Sequence, residues 1–264
     1  MGLRHVTTLA IRPGAIGDFI VSIPALEALG ADLEVWTAAA NVPLARCAHR
    51  TCSIASTGLD LLGLPDVAPS DSLLARLRSF DRIVSWYGAN RPEFIDAVRA
   101  LRLPFDFFPA LPSMEGSIHA VDFFSSHVGA PPGATPRIVC PGARGDFAVI
   151  HPFASSPSKR WPLDRFQEVA RLLPMPVRWC AGPEEALDGA VRIPNLYQLA
   201  CWLATARVYI GNDSGISHLA AAVGTPVVAL FGPTNPIVWA PRGPSVTVLS
   251  PMERVEPQKL VDAL

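Results

Sequence analysis

The sequence predicts an α/β fold made of parallel sheets and arranged in two halves of similar size. Short runs of β-branched and apolar residues alternate with amphipathic helical patterns along the chain, as in sheets joined by helical crossovers. A stretch rich in proline and glycine, residues 129–146, interrupts this alternation near the middle. The composition is 50% hydrophobic and only 17% charged, which is the opposite of a disordered chain.

The first half begins with a strand over residues 6–12, a glycine turn and a helix over residues 18–29. Pro24 lies inside this helix, and a proline removes one helical hydrogen bond, so we expect a kink or a late start there. Further elements follow from the same alternation of patterns. The strands are expected at 33–37, 54–56, 82–85 and 105–107, and the helices at 73–79, 92–101 and 118–128.

The second half repeats the alternation after the linker. Its expected strands are 147–151, 177–181, 208–211 and 227–231, and its expected helices are 163–173, 196–205, 215–223 and 257–264. Apolar spacing turns two of these helices inward through Leu163, Phe166, Ala170 and Leu173 and through Leu199, Trp202 and Leu203. We therefore expect an N-terminal domain over 1–140 and a C-terminal domain over 147–264. Ligands of open parallel sheets bind beyond the carboxyl ends of the strands, so the cleft between the two domains is the expected site.

Composition and charge exclude several classes of protein. A net charge of -1 does not suit a general nucleic-acid binder. The most apolar segment, 219–231, is too short to cross a bilayer, and the N-terminus lacks the apolar core of a secretory signal. Five cysteines without a CxxC pair favour neither a disulfide framework nor a structural zinc site, and they fit a reducing cytosol.

The first candidate motif runs from Gly14 to Asp18, directly after the first strand. Gly14 and Gly17 allow a tight turn and a close approach of ligand to backbone. Asp18 has two interpretations, a simple cap of the following helix or a carboxylate general base that points into the cleft. The GxGxxG fingerprint of dinucleotide-binding proteins is absent, which disfavours a nicotinamide dehydrogenase.

The second candidate motif is the segment 151–162, between a strand and a helix. Ser155 offers a hydroxyl and Lys159 a positive charge close to a helix N-terminus, a combination typical of phosphate binding. The alternative is an ordinary solvated basic loop.

The third candidate motif is the segment 211–218, at the end of a predicted strand. Asp213 or Ser214 would cap the next helix, and Gly215 would expose backbone amides to a diphosphate. His218 lies one turn into that helix. An ordinary capped helix with a buried histidine explains the same residues, and no third ligand at matching spacing suggests a metal.

Two weaker candidates lie at other strand ends. Thr234, in the turn-rich loop 232–236, is within reach of a phosphate if that loop faces the cleft, although turn chemistry alone explains the loop. Glu184 and Glu185 follow a strand, where an acidic residue suits ribose hydroxyls. An acidic first turn of a helix is the alternative for these two residues.

The three main motifs together are more specific than any one of them. RPGAIGDFIVSIPAL, HPFASSPSKRWPLDRF and GNDSGISHLAAAVGTPVVALFGPTNP occur in this order. The combination resembles glycosyltransferase family 9, the ADP-heptose:lipopolysaccharide heptosyltransferases. The motifs fall in both halves, and the segment 40–130 matches least.

This resemblance implies a GT-B architecture, in which two Rossmann-like domains with parallel sheets face an interdomain cleft. It implies an inverting, metal-independent transfer of a sugar, heptose from ADP-heptose, to a hydroxyl of a lipopolysaccharide-core or related glycan. The donor would bind mostly to the C-terminal domain and the acceptor to the N-terminal one. No cofactor is expected, because the nucleotide sugar is a substrate.

The resemblance also implies roles for individual residues. Asp18 resembles the catalytic base, and Lys159 and Ser155 resemble the residues that bind the donor diphosphate. Asp213, Ser214, Gly215 and His218 match the family's DSG or DTGxxH motif at the diphosphate and donor sugar. Glu184 or Glu185 matches the acidic ribose contact less securely, and Asn235 stands where the family often has aspartate.

Two other functions stay open from the sequence: a sugar-nucleotide epimerase of the same architecture, which would need further acid and base groups, and a non-catalytic nucleotide-sugar-binding protein. The expected partners are a nucleotide sugar and a glycan or glycolipid acceptor, not nucleic acid. The expected location is the cytoplasm, with peripheral contact with the inner membrane face. Arg46, Arg50 and Arg91 are candidates to face an anionic acceptor, and the sequence does not choose among them.

Overall fold

The computed structural model describes residues 6–113 and 115–264, and it contains two five-stranded sheets in which every pairing is parallel. The first sheet has the order β3-β2-β1-β4-β5 and the second the order β10-β9-β8-β6-β7. In each sheet, the strand that comes first in the sequence lies between two later strands: β1 lies between β2 and β4, and β6 lies between β8 and β7. This crossover arrangement leaves a crevice at the carboxyl ends of the strands.

The elements of the first half are the strands β1 Thr8–Arg12, β2 Leu33–Thr37, β3 Arg50–Ser53, β4 Arg82–Ser85 and β5 Phe105–Phe107, and the helices α1 Ile16–Glu27, α2 Asp71–Arg78, α3 Pro92–Ala100 and α4 Ala120–His127. Those of the second half are the strands β6 Ala148–His151, β7 Val177–Trp179, β8 Val208–Asn212, β9 Val227–Leu230 and β10 Val246–Leu249, and the helices α5 Leu163–Leu172, α6 Leu196–Ala204, α7 Gly215–Ala222, α8 Pro236–Trp239 and α9 Pro257–Asp262. Residues 129–146 contain no helix or strand.

The central strands are buried on both faces, which explains their continuous apolar runs. In β1, Leu9 and Ile11 face a core that lies between the first sheet and α2 and α3, whereas Ala10 faces the other side. In β6, Ile150 faces a separate core beside α5 and α9. The alternation along each strand therefore assigns its side chains to two different cores.

A third core, which we call the central core, joins the two halves. It takes side chains from the inner faces of both sheets, such as Val35 and Val149, and from α1, α4, α6 and α7. The apolar inner face of α1 accounts for much of it, and residues 19–26 of this helix are all buried. The two halves are thus packed directly against each other near the strand ends.

Most predicted elements are confirmed, but two expectations are wrong, and strand β10 and helix α8 were not predicted. The segment 54–56 forms a 3₁₀ turn, and the strand lies just before it at β3. Strand β10 was not predicted, although its sequence VTVL is rich in the β-branched residues that favour strands. Helix α1 starts at Ile16, earlier than predicted, and continues through Pro24.

Side-chain directions agree with the predicted faces except at one position. Phe166 and Leu173 are buried as expected, but Leu163 is exposed because it begins α5 at the surface end. In the described part of the chain, no helix combines the length and apolar character that crossing a membrane requires.

Candidate active site

A cavity of about 430 Å³ lies where the carboxyl ends of the strands of both halves meet. Its apolar wall comes from Ile16 of α1, Ile216 of α7 and the segments around Cys180 and Ile193. The polar residues that line it are His151, Ser155, Glu185 and Ser214. A mainly apolar cavity with a few convergent polar groups is typical of a small-molecule site.

The beginnings of α1 and α7 touch at one end of this cavity. A Cβ atom added to Gly215 would lie 2.8 Å from Cβ of Ile16 and 3.0 Å from the backbone nitrogen of Gly17. A Cβ added to Gly17 would lie 3.2 Å from Cδ2 of His218. Glycine at both positions therefore lets two helix N-termini, one from each half, meet at the same point. Both ends carry unpaired amides and partial positive charge, which favour an anion.

Asp18 lies in the first turn of α1, one residue beyond this contact. Its side chain is half-buried, and its Oδ2 accepts a hydrogen bond from the backbone nitrogen of Ala15 at 3.2 Å. Gly14 permits this because its φ of +134° is in a region that favours glycine. Asp18 does not itself line the cavity, although Ala15, Ile16 and Gly17 do. The structure therefore places the carboxylate at the rim, turned back onto the glycine turn.

Arg12 supports the glycine turn with hydrogen bonds from its side chain. No role was assigned to it from the sequence. Its buried guanidinium donates to the carbonyls of Pro13 at 3.1 Å and of Asp18 at 2.8 Å, and it stacks over the ring of Phe124 at 4.3 Å. Burial lowers the pKa of Arg12 to about 10, against the opposing effect of the nearby Asp18 carboxylate. Arg12 is thus a cation at neutral pH, held beneath the candidate base.

Lys159 and Asp213 form an ion pair, with 2.7 Å between Nζ and Oδ2. Lys159 ends a short 3₁₀ turn that Ser156 caps, and Asp213 lies immediately before Ser214. The pair brings the second and third sequence motifs together at the N-terminus of α7. Ser155 is exposed and lines the cavity, whereas Lys159 and Asp213 do not line it.

Ser214, not Asp213, is the cap of α7, since its Oγ accepts from the backbone nitrogen of Ser217. His218 lies one turn further and is 5% exposed. Burial lowers its pKa to about 4, against the opposing effect of Asp213, and His119 and Lys159 lower it further. The imidazole is therefore neutral at physiological pH.

The two adjacent glutamates differ in position. Glu185 lines the cavity, whereas Glu184 is exposed to solvent and does not line it. The Oε2 atom of Glu185 accepts from the backbone nitrogen of Gly182 at 2.6 Å and lies 3.2 Å from Nε2 of His151. Burial opposes ionisation of Glu185, but the hydrogen bonds from His151 and Gly182 outweigh it and lower its pKa. Of the two sequence candidates, Glu185 therefore has a position suited to a ligand contact, and Glu184 does not.

Thr234 is buried and does not line the cavity. Its neighbour Asn235 caps α8 and donates from Nδ2 to the carbonyl of Gly116 at 3.2 Å, which links this loop to the first half. The structure therefore separates Thr234 from the other candidates.

Two more residues shape the site but were given no role from the sequence, although His151 begins the second candidate motif. Asn41 is buried and donates to the carbonyl of Gly14 at 3.0 Å, which secures the glycine turn from the side. His151 is buried at the end of β6 against Glu185. The arginines proposed to face an acceptor are dispersed: Arg46 stacks on Tyr197, whereas Arg91 bonds to Tyr87. Within residues 6–113 and 115–264, no group of three His, Cys, Asp or Glu is placed to hold a metal.

Comparison with known proteins gives a consistent result. The family model described as glycosyltransferase family 9 (heptosyltransferase) matches residues 130–262. Lipopolysaccharide heptosyltransferase 3 of Escherichia coli strain K12 is 32% identical over 122 residues, which cover 38% of this chain and 35% of that protein. Lipooligosaccharide heptosyltransferase 2 of Haemophilus influenzae is 30% identical over 135 residues, which cover 43% and 36%. The match thus spans about a third of the length of these relatives.

Solved structures show the same architecture over the whole chain. The ADP-heptose lipopolysaccharide heptosyltransferase II of E. coli has a TM-score of 0.74 at 19% identity, covering 98% of this chain and 97% of that one. The E. coli heptosyltransferase WaaC with ADP has a TM-score of 0.64 at 18% identity, covering 97% and 96%. These similarities confirm the predicted GT-B fold. The family model covers half of the chain, so this protein belongs to glycosyltransferase family 9 (heptosyltransferase).

Proposed function

We propose that this protein is an inverting glycosyltransferase that moves heptose from ADP-heptose to a hydroxyl of a lipopolysaccharide-core or related acceptor. The observation that carries the proposal is the contact of Gly17 with Gly215 and His218. Through it, the α1 turn that holds Asp18 lies against the helix end best suited to a diphosphate. A base from one half and an anion site from the other are thus neighbours.

The donor is proposed to lie in the 430 Å³ cavity. Its diphosphate would bind between the two helix N-termini, with donors from Ser214, the Gly215 amide and the ammonium of Lys159. The nucleoside would extend along the apolar wall toward Glu185. A relative's structure carries ADP, and the size of this cavity suits a nucleotide.

In the proposed reaction, the acceptor hydroxyl attacks the anomeric carbon from the face opposite the diphosphate. Asp18 accepts the hydroxyl proton, and the glycosidic bond to the diphosphate breaks as the new one forms, so the configuration inverts. Base catalysis of this kind contributes roughly 10²–10⁴-fold. Negative charge grows on the leaving diphosphate, and Lys159, Ser214 and the helix amides would stabilise it without a metal ion.

The neutral imidazole of His218 fits this arrangement as a hydrogen-bond donor to a phosphate or donor-sugar oxygen. Its pKa of about 4 makes it a poor proton acceptor at neutral pH. This weakens the epimerase alternative, which needs a second acid or base group near the donor sugar. The protein is further proposed to act in the cytoplasm on a glycolipid at the inner membrane face, because its proposed acceptor is amphiphilic.

A direct assay separates the three candidate functions. Purified protein is incubated with ADP-heptose, with and without lipopolysaccharide core, and with or without EDTA, and ADP release and product mass are followed. We expect ADP release that requires the acceptor and resists EDTA, with one heptose added to the acceptor. An epimerised nucleotide sugar without acceptor would indicate an epimerase, and binding without turnover of any acceptor would indicate a non-catalytic protein.

A further inference from the structure

His151 and Glu185 form a pair in the cavity wall, and neither residue takes part in the proposed reaction steps. His151 ends β6, its side chain is 5% exposed, and its ring packs edge-on against Phe153 at 6.0 Å. Its Nε2 lies 3.2 Å from Oε2 of Glu185. A carboxylate only accepts hydrogen bonds, so Nε2 must carry the proton in this contact.

The other ring nitrogen of His151 makes this pairing costly. Nδ1 is buried and has no hydrogen-bond partner among the described residues. A buried polar atom without a partner destabilises a protein, because its hydrogen bonds to water are lost and not replaced. An apolar side chain would fill this position in the wall without that cost. An imidazole at this costly position therefore points to a role for its Nε2 proton.

The Glu185 carboxylate is held on one of its oxygens only. Oε2 accepts from both Gly182 and His151, at 2.6 and 3.2 Å. No hydrogen bond within the described chain involves Oε1, and the residue lines the cavity. The Gly182 amide and the His151 ring thus orient the carboxylate so that a single free acceptor, Oε1, remains for a ligand.

Because the free Oε1 atom of Glu185 carries no proton, it can pair only with a ligand group that donates a hydrogen bond, such as a hydroxyl. A ribose offers two neighbouring hydroxyls as donors, whereas a deoxyribose leaves the acceptor unpaired. Resting on the donor placement proposed above, we propose that His151 is a positioning residue. It locks Glu185 so that the nucleotide site selects ribose over deoxyribose.

The expected preference for ribose follows from the strength of the hydrogen bond between the ribose hydroxyl and the charged carboxylate. A hydrogen bond to a charged group contributes about 1.5–3 kcal/mol, which is about 10- to 100-fold in affinity. The discrimination belongs to the bound sugar hydroxyl and not to the phosphates. It should therefore vary independently of the overall strength of nucleotide binding.

The test is calorimetric titration of purified protein with ADP, 2′-deoxy-ADP and 3′-deoxy-ADP. Wild type is expected to bind ADP at least about tenfold more tightly than one of the deoxy nucleotides. His151→Phe removes the proton but keeps a ring, and we expect the ratio to fall to near one. His151→Gln restores a donor at similar reach, and the ratio should recover. Glu168→Ala, on the solvent face of α5, is the control and should keep the wild-type ratio.

Glu185→Ala is a second variant in case His151→Phe does not fold. Glu185 is in a partly exposed loop, so its replacement should disturb folding less. It should also abolish the discrimination. A wild-type ratio retained in either variant, or equal loss in His151→Phe and His151→Gln, would overturn the positioning role. ADP binding by wild type without any ribose preference would also overturn it but leave the proposed function intact. Failure of wild type to bind ADP at all would instead reject the donor site itself.

Discussion

At the scale of single residues, the site depends on charges placed at the start of α7. Lys159 lies 2.7 Å from Asp213 and ends a turn capped by Ser156. An ammonium has three donors, so one can stay on Asp213 while the others bind the diphosphate of the proposed donor. The ion pair thus orients Lys159 before a ligand arrives and reduces the ordering cost of binding.

We expect Lys159→Ala to weaken ADP binding by about 10- to 100-fold, the range of a lost hydrogen bond to a charged group. Lys259→Ala is a matched control, because it removes the chain's other lysine from an exposed position on α9. Calorimetric titration measures both variants. Equal ADP affinity in Lys159→Ala and wild type would contradict a diphosphate contact.

His218 predicts a pH dependence of stability. The folded state holds it neutral down to about pH 4, whereas the unfolded chain protonates it near 6.5. Acidification between these two values therefore favours the unfolded chain. The difference of about 2.5 pKa units corresponds to about 3 kcal/mol.

We expect the free energy of unfolding to fall less in His218→Gln than in wild type between pH 7 and pH 4.5, because glutamine does not titrate. Urea denaturation at the two pH values measures the difference between the two proteins. Since other groups titrate in both, only this difference is informative. Parallel losses in the two proteins would show that His218 is protonated as easily in the folded state as in the unfolded one.

At the scale of elements, two helix ends are brought together by glycines. A methyl at Gly215 would meet backbone and a branched Cβ, at 3.0 and 2.8 Å, whereas a methyl at Gly17 would meet mainly the His218 ring at 3.2 Å. A ring can shift more easily than a backbone atom. The contact between the two helices therefore tolerates an added methyl group less well at Gly215 of α7 than at Gly17 of α1.

We expect Gly215→Ala to destabilise the protein by about 1–3 kcal/mol, the range for overpacking, and to weaken ADP binding. Gly17→Ala should cost less, although both replace glycine by a better helix former. Denaturant unfolding of the two variants side by side gives the comparison. An equal or larger loss in Gly17→Ala would contradict the backbone contact.

The elements also show what the sequence could predict. Strands β1, β6 and β8 are buried throughout, so their patterns were clear. The 3₁₀ turn after β3 depends on tertiary packing and carried little local signal. Strand β10 did carry a signal, the β-branched residues of VTVL, but it was not predicted.

The candidate site divides in the same way. Motifs next to strand ends indicated Asp18, Lys159 and Ser214 from local chemistry. Arg12 and His151 each contact a residue that is distant in sequence: Arg12 stacks on Phe124, and His151 pairs with Glu185. Single-sequence reasoning has no access to such contacts, and it also could not choose between adjacent glutamates.

At the scale of the whole molecule, the halves share the central core and a set of polar links around α4. Asp122 forms a two-pronged ion pair with Arg242, which also bonds to the carbonyl of Ala134 in the linker. The hydrogen bonds from Arg242 lower the pKa of Asp122. His119 adds a bond of 2.8 Å from Nε2 to the carbonyl of Ala240. These contacts fasten the linker and the α8 segment to α4.

We expect Arg242→Ala to lower the free energy of unfolding at pH 7 by about 1.5–3 kcal/mol, because it leaves the half-buried Asp122 without its charged donors. The loss should shrink as the pH falls below about 4, where the unfolded chain protonates Asp122, and should vanish below the lowered pKa of the folded carboxyl, where the wild-type pair is lost as well. Arg99→Ala breaks an exposed pair with Asp96 and should change stability by less than about 1 kcal/mol. Urea denaturation of both variants measures the effect, and equal small losses would show that the pair around α4 does not hold the halves together.

The central claim joins both halves: a carboxylate on α1 activates an acceptor beside a diphosphate held by α7. Asp18→Asn tests it most directly, because asparagine keeps an acceptor for the Ala15 amide but removes the base. We predict an ADP affinity within a few-fold of wild type and a transfer rate lower by roughly 10²–10⁴-fold. Transfer within a few-fold of wild type, at unchanged ADP affinity, would contradict the claim and place the base elsewhere.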